Sequence, residues 1–309
     1  MEPCNSFALS RLAVLALMTC AAWGAVLAQA PSNPNSAWET AAGGKMTFEV
    51  ASVREDPTGK YKSPPYSTDS DDEVIDSQGI FEADLPLTGY ISFAYKLDQQ
   101  HPMLEHLPPW ATSKHFEIQA RVAGKPTKDQ LRLMMQSLLE DRFKLKLHFE
   151  MREMPVLFMT LIHPGKPGPG LRLHSDGPPC DVVAPRPPNA TASFEMFPCY
   201  AYIAINKPDH TVLAGSRNTT TRLMAAFFTN VGHMRPIVDQ TGLNGKIDFS
   251  MTYTPERRGP APTGADAGEE FAGTTFADAI KDQLGLKLEP GKAQLPIPVV
   301  DHVEMPTKN

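Results

Sequence analysis

The sequence is poor in the motifs that most enzyme classes require. It contains no Gly-x-Ser-x-Gly elbow and no Ser-x-x-Lys, which excludes the familiar serine-nucleophile arrangements. Gly165-Lys166-Pro167-Gly168-Pro169-Gly170 has the outline of a phosphate loop. Its prolines remove backbone donors and no Ser or Thr follows the lysine, so it reads as a turn. Positive charge is not in excess either. Lys and Arg number 29 against 35 Asp and Glu, a balance of −6, which argues against a nucleic-acid partner because no basic face is implied. Cysteine is scarce: two of the four, Cys4 and Cys20, fall in the first thirty residues. Neither Cys180 nor Cys199 has an obvious histidine partner in the sequence, so a cysteine nucleophile or a cysteine–histidine metal site is not expected.

Metal chemistry of the helical kind is also absent. His101, His106 and His115 are close in sequence with Glu105 among them, but Pro102, Pro108 and Pro109 break any helix that would align them. The acidic run Asp69-Ser70-Asp71-Asp72-Glu73 lacks the glycine turn and terminal glutamate of a calcium loop. No cofactor is expected.

What is present begins with a targeting segment. Arg11 precedes an apolar run, Leu12 to Leu27, and Ala28-Gln29-Ala30 gives a small-x-small cleavage pattern. Residues 1–30 are therefore read as a signal peptide, with a retained anchor as the alternative. The mature chain is expected to be exported, periplasmic or secreted, with no stable membrane span. In an oxidising compartment Cys180 and Cys199, 19 positions apart, are expected to form a disulfide.

Residues 31–44 read as a flexible leader and 45–162 as a first unit. Within it, alternation marks a strand over Lys45 to Arg54 and a short one over Ile80 to Ala83. Leu87 to Tyr95 has helical spacing, and Phe116, Ile118 and Ala120 alternate as a strand. Thr127 is placed to cap a long helix carrying Leu131, Met134, Met135, Leu138 and Leu139. A proline-rich connection spans 163–198. A second unit, 199–309, repeats the order. It has a strand at Thr211 to Ala214, a helix at Arg222 to Phe228 and a strand at Ile247 to Tyr253. After an insertion at 255–273, a helix at Phe276 to Gln283 precedes strands at Gly285 to Leu288 and Leu295 to Val303.

Leu139 to Met159 aligns without a gap on Ile280 to Val300, with five identities over 21 positions at a constant offset of 141. The expected fold is α+β: two similar strand-helix-strand-helix-hairpin units, an internal duplication, with antiparallel or mixed sheets. The first hairpin is placed with its turn near Glu150 to Glu153, and Lys144, Lys146 and His148 on its wet face.

Thr241-Gly242-Leu243-Asn244-Gly245 reads as a tight turn using left-handed backbone, braced by Asp239 or Asp248. Trp110, Asp239, Thr241, Gly242, His101 and His106 are the surface or ligand-loop candidates.

Several stretches together carry a family resemblance. They are Phe48-Glu49-Val50-Ala51-Ser52-Val53, Pro109-Trp110, Leu138 to Leu145 and Arg152-Glu153-Met154-Pro155-Val156. Val238 to Gly245 and the tail Asp301-His302-Val303-Glu304-Met305-Pro306 complete the set. From about Phe48 to Asn309 the chain resembles the uncharacterised "soil-associated" family of exported bacterial proteins. One departure is Lys96, where relatives often place glycine after the tyrosine. The resemblance implies no activity, cofactor or catalytic residue. Some relatives are joined to a membrane-embedded, sensor-type metallopeptidase, which implies sensing or binding outside the cytoplasm.

The expected function is therefore a non-catalytic binding or sensing module for a peptide, glycan or envelope partner. The alternatives are a secreted hydrolase assembled from His101, His106, Glu105 and Asp239, and a structural envelope component.

Overall fold

Helix formation after Thr127 shows how closely local chemistry is followed. The Thr127 hydroxyl accepts from the Gln130 N–H at 3.2 Å, and the Gln130 side chain accepts from the Thr127 N–H at 2.9 Å, a complete capping box. The helix it starts buries Leu131, Met135, Leu138 and Leu139 along one stripe. The structure is a computed structural model that describes residues 36–64, 66–70, 78–97, 104–180, 193–255 and 273–306. Most of the 255–273 insertion lies outside them, as do residues 1–30.

In chain order the elements are α1 (Ser36–Ala41), β1 (Val50–Asp56), β2 (Ile80–Pro86), α2 (Leu87–Ala94), α3 (Trp110–Ser113), β3 (His115–Arg121), α4 (Lys128–Arg142) and β4 (Lys146–Leu161). Then follow β5 (Leu171–Leu173), β6 (Ile203–Asn206), β7 (Val212–Thr219), α5 (Thr221–Val231), β8 (Ile237–Asp239), β9 (Ile247–Tyr253), α6 (Phe276–Asp282) and β10 (Leu286–His302). The fold is mixed α+β with three mostly antiparallel sheets, ordered β1-β3-β2, β10-β4-β8 and β5-β9-β7-β6. α1 lies inside the stretch expected to be a leader, and β5 inside the proline-rich connection.

Two large apolar clusters, and a small third one of Met196, Phe197 and Leu213, fill the described body. In the first, Phe116, Ile118 and Ala120 of β3 face inward with Phe81, Ala83 and Leu85 of β2, under α2 and α4. In the second, alternate residues of β9 (Ile247, Phe249, Met251 and Tyr253) pack against Met224, Phe227 and Phe228 of α5 and Phe276 and Ile280 of α6.

The expected turn at Glu150–Glu153 is absent: β4 runs through it and pairs antiparallel with β10 along nearly its whole length. Glu-Met-Arg-Glu offers no glycine, asparagine or proline to reverse the chain. Likewise Gly285–Leu288 and Leu295–Val303 are one continuous strand, despite Pro290-Gly291 between them. The prolines explain why. Pro290, Pro296 and Pro298 fall opposite Leu157, Met151 and Phe149, while Ile162 N–H, of the other parity on β4, donates toward β10 at 2.9 Å to Gly285. The three prolines therefore occupy positions whose N–H would point away from β4, to the outer side of β10, where Glu105 pairs only with the Pro298 carbonyl and the Val300 N–H. Pro155 obeys the same rule on β4. Leu157 N–H donates to Pro236 at 2.9 Å, but β8 pairs only with Leu157 to Met159, so no acceptor waits two residues earlier. Gly291 is needed for another reason: a Cβ there would lie 2.4 Å from the Phe158 ring, which crosses it.

Positions 141 apart occupy matching places. Phe143 and Leu145 are buried in the first cluster, and Leu284 and Leu286 in the second. Lys144 and Gly285 are both left-handed, at φ 52° and 67°. Glu153 pairs with Gln294 near the middle of the two strands.

Candidate functional site

The most elaborate polar cluster is built around the disulfide. β9 alternates, so the residues between its core-facing positions point the other way, and Asp248 is among them. It is 0% exposed yet accepts three hydrogen bonds: from His174 Nδ1 at 2.7 Å, Arg172 Nε at 3.0 Å and the Asn218 backbone N–H at 3.0 Å. That donor set is what a buried carboxylate requires. β5 supplies Arg172, paired opposite Asp248, and the turn after it supplies His174. Arg172 also lies 4.1 Å above the Phe194 ring and meets Glu195 at 3.4 Å. Glu195 is held below the usual carboxylate range, first by the Ser193 hydroxyl and further by its own backbone N–H and Arg172.

Cys180 and Cys199 are joined as a disulfide, as the sequence leads one to expect. Two nitrogens converge on Cys180 Sγ: Asn218 Nδ2 donates at 3.3 Å, and His174 Nε2 lies at 3.8 Å. The expectation that neither cysteine has a histidine partner is thus corrected. β5 and the turn that follows it bring His174, six residues upstream, back over Cys180. Asn218 reaches this place through an irregularity in β7, where the register with β9 shifts between Ser216 and Thr219. Its φ is +48°, and Tyr200, beside Cys199, is at +66°. The Asn218 amide also donates to the Tyr200 hydroxyl at 3.0 Å. Arg217, fully buried, donates to the carbonyls of Phe197 at 3.0 Å and Pro179 at 3.4 Å, pinning the chain ahead of both cysteines. His174, Cys180 and Cys199 place their ligand atoms within 4.8 Å of one another. While the two sulfurs are bonded to each other, neither is the thiolate that binds metal.

A second feature is an open pocket of about 490 Å³ beside the first turns of α2. Leu85, Leu104 and Leu107 give it apolar walls, and Tyr61, Thr68, Thr88, Ser92 and Thr112 give it hydroxyls. None of its described lining residues is charged. Gly89 also lines it.

The sequence candidates divide between these places and others. His106 (φ +64°) and Trp110 sit on the segment whose Leu104, Leu107 and Thr112 line the pocket, with Trp110 packed edge-on to Phe116 at 6.1 Å. His101 lies outside the described residues. Asp239, Thr241 and Gly242 form a turn elsewhere. Asp239 accepts from the Thr241 N–H at 2.9 Å and from the Thr221 hydroxyl, Thr241 Oγ1 accepts from the Leu243 N–H at 3.2 Å, and Gly242 is at φ +69°. Glu105 pairs with Arg152 at 2.6 Å, at the end of a charge ladder on the wet face of β4. In that ladder His148 Nδ1 meets Asp301 at 2.9 Å and Nε2 meets Glu150 at 3.3 Å. His148 is raised above its ordinary value, first by Asp301 and then by Glu150.

Sequence reading missed Asp248 as a partner of His174, placing it instead as a brace for the turn. The alternation of Ile247 to Tyr253 was the available signal, since it sets Asp248 on the face opposite the apolar core. Nothing local announces Asn218.

An α+β body of three sheets, with a disulfide held by a buried carboxylate–histidine pair, defines the class. The chain belongs to the family described as a protein of unknown function, DUF3738, whose model matches residues 88–303, more than two thirds of its length. No curated protein and no solved structure matches the chain. Among the described residues no helix is long and apolar enough to cross a membrane.

Proposed function

We propose that the protein is an exported binding module, and that the pocket beside α2 seats a neutral, hydroxyl-bearing ligand of the glycan class. The observation that carries this is Gly89. It sits in the first turn of α2, where glycine is still less favourable than alanine. A Cβ at this position would press on the Leu85 side chain at 3.3 Å, a contact that a shift of a few tenths of an ångström in that side chain relieves. A helix that forgoes this stability beside a pocket keeps the pocket open. The uncharged lining suits a neutral ligand, and Tyr61, 67% exposed, offers a ring on which a sugar can stack.

Export rests on the first thirty residues, and a sensing role on the resemblance to proteins joined to membrane peptidases. The duplicated architecture is part of the same reading. It is supported by the matched places of residues 141 apart and by the pairing of Glu153 with its counterpart Gln294. Two copies related by a two-fold axis would meet in this way.

The test is titration of the purified protein with a panel of neutral oligosaccharides by calorimetry. Binding should be weakened at least tenfold by Tyr61→Ala and abolished by Gly89→Leu, about 1.4 kcal/mol for the first. Binding to none of them, or binding indifferent to both substitutions, would overturn the reading.

A further inference from the structure

We propose that Cys180–Cys199 is a redox-active centre for thiol–disulfide exchange, in which an incoming thiolate attacks Cys199 Sγ and Cys180 Sγ leaves. A disulfide that only staples a loop needs no polar apparatus at its sulfurs. This one has Asn218 Nδ2 donating to Cys180 Sγ at 3.3 Å and His174 Nε2 at 3.8 Å. The carboxylate of Asp248 fixes the imbalance between the two imidazole nitrogens. It accepts from Nδ1–H at 2.7 Å, so Nε2 is the nitrogen presented to sulfur. Negative charge that develops on Cys180 is met by the Asn218 amide, and His174 Nε2, having taken up the proton released by the incoming thiol, passes it to the departing Cys180 Sγ. Exchange is faster when the leaving sulfur is the better stabilised thiolate, which makes Cys180 the leaving group.

The setting is purpose-made rather than incidental. The β7 register shifts at Asn218, whose amide meets the sulfur, and Asn218 and Tyr200 both have positive φ; such backbone gathers at functional sites. Arg217 holds both cysteine-bearing segments by their carbonyls, so opening the S–S bond need not release them. Both cysteines are partly exposed, which an external thiol requires.

The co-reactant is a dithiol. Its first thiolate forms a bond to Cys199 Sγ as the S–S bond breaks, and Cys180 Sγ departs with the electron pair. Its second thiolate then attacks its own sulfur in the mixed disulfide, and Cys199 Sγ departs as thiolate. The dithiol becomes a disulfide, and the protein gains two electrons and two protons. In these terms Cys180, Cys199, His174 and Asn218 are catalytic, and Asp248 is a positioning residue.

The mixed disulfide is the species that distinguishes the two sulfurs. The purified, disulfide-bonded protein is exposed to glutathione without oxygen, free thiols are capped with N-ethylmaleimide, and peptides are mapped by mass spectrometry. Glutathione should be found on Cys199 and maleimide on Cys180, in an excess of about tenfold or more. The reverse pattern, an even distribution, or a disulfide that resists reduction until the protein is unfolded would each overturn the proposal. Asn218→Gly keeps the left-handed backbone and its N–H to Asp248 while removing the amide; His174→Gln removes the imidazole. Each should slow reduction by dithiothreitol and erode the Cys199 preference, a selectivity that a merely structural role would not move. If either variant folds poorly, the distribution of glutathione in the unsubstituted protein still supports or overturns the proposal by itself.

Discussion

Lys96 allows a backbone term to be measured almost free of side-chain effects. It follows α2, whose end has the hydrogen bonds of a Schellman motif: Leu97 N–H to Ser92 carbonyl at 2.9 Å and Lys96 N–H to Phe93 carbonyl at 3.3 Å. The residue between must be left-handed, and Lys96 is, at φ +54°. Glycine is the usual occupant of such a place. Lysine holds the place with its side chain, only 7% exposed, through Asp129 at 3.1 Å and the Trp38 ring at 4.9 Å. Lys96→Ala and Lys96→Gly both delete these contacts, and in both Asp129 keeps Arg132 as a partner. The shared loss cancels in the comparison. What remains is the left-handed penalty on alanine, about 1–2 kcal/mol, reduced by glycine's greater freedom in the unfolded chain, about 0.5–1 kcal/mol. Glycine should therefore be the more stable variant by about 1 kcal/mol. Urea unfolding followed by circular dichroism should separate the midpoints by about 0.5 M for a slope of ~2 kcal/mol/M. An alanine variant as stable as the glycine variant would refute the account of this helix end.

Asp248→Ala should destabilise the protein by about 3 kcal/mol, because it leaves His174 without a carboxylate and Arg172 with Glu195 alone; thermal and denaturant unfolding measure it. Gly291→Ala should push the Phe158 ring from its place across the strand, seen as a large chemical-shift change for that ring and a loss of about 1–3 kcal/mol. Asp56 should titrate at about 2, lowered first by the Thr58 hydroxyl and then by the Thr58 N–H. Because its folded value is depressed, its contribution to stability is present above the unfolded value and is lost as pH falls through about 2. NMR titration should show that value rising toward the ordinary carboxylate range in Thr58→Ala.

What was legible in the sequence was local. The Thr127 cap and the spacing of Leu131 to Leu139 give α4, and the alternation of Ile247 to Tyr253 gives β9 with its bounds. The prolines of β10 misled because proline breaks a strand only where its N–H is wanted, and that depends on a neighbour far along the chain. The disulfide centre has the same cause of invisibility. Arg172 and His174, Asn218, and Asp248 come from three separate stretches, and each is unremarkable alone. Only the sheet order β5-β9-β7 sets them side by side.

The pairing of β4 with β10 has a consequence for the order of events in synthesis. Val300 and Val303 belong to the first apolar cluster, Val300 N–H donates to Glu105 at 3.2 Å, and Glu304 N–H donates to Phe143 at 2.7 Å. The first cluster is thus closed by residues that leave the ribosome long after Leu145. Until they emerge, Leu145 and its neighbours lack one wall, and the first cluster waits half-built for β10. A chain arranged in this way cannot close its first core piece by piece as it is made.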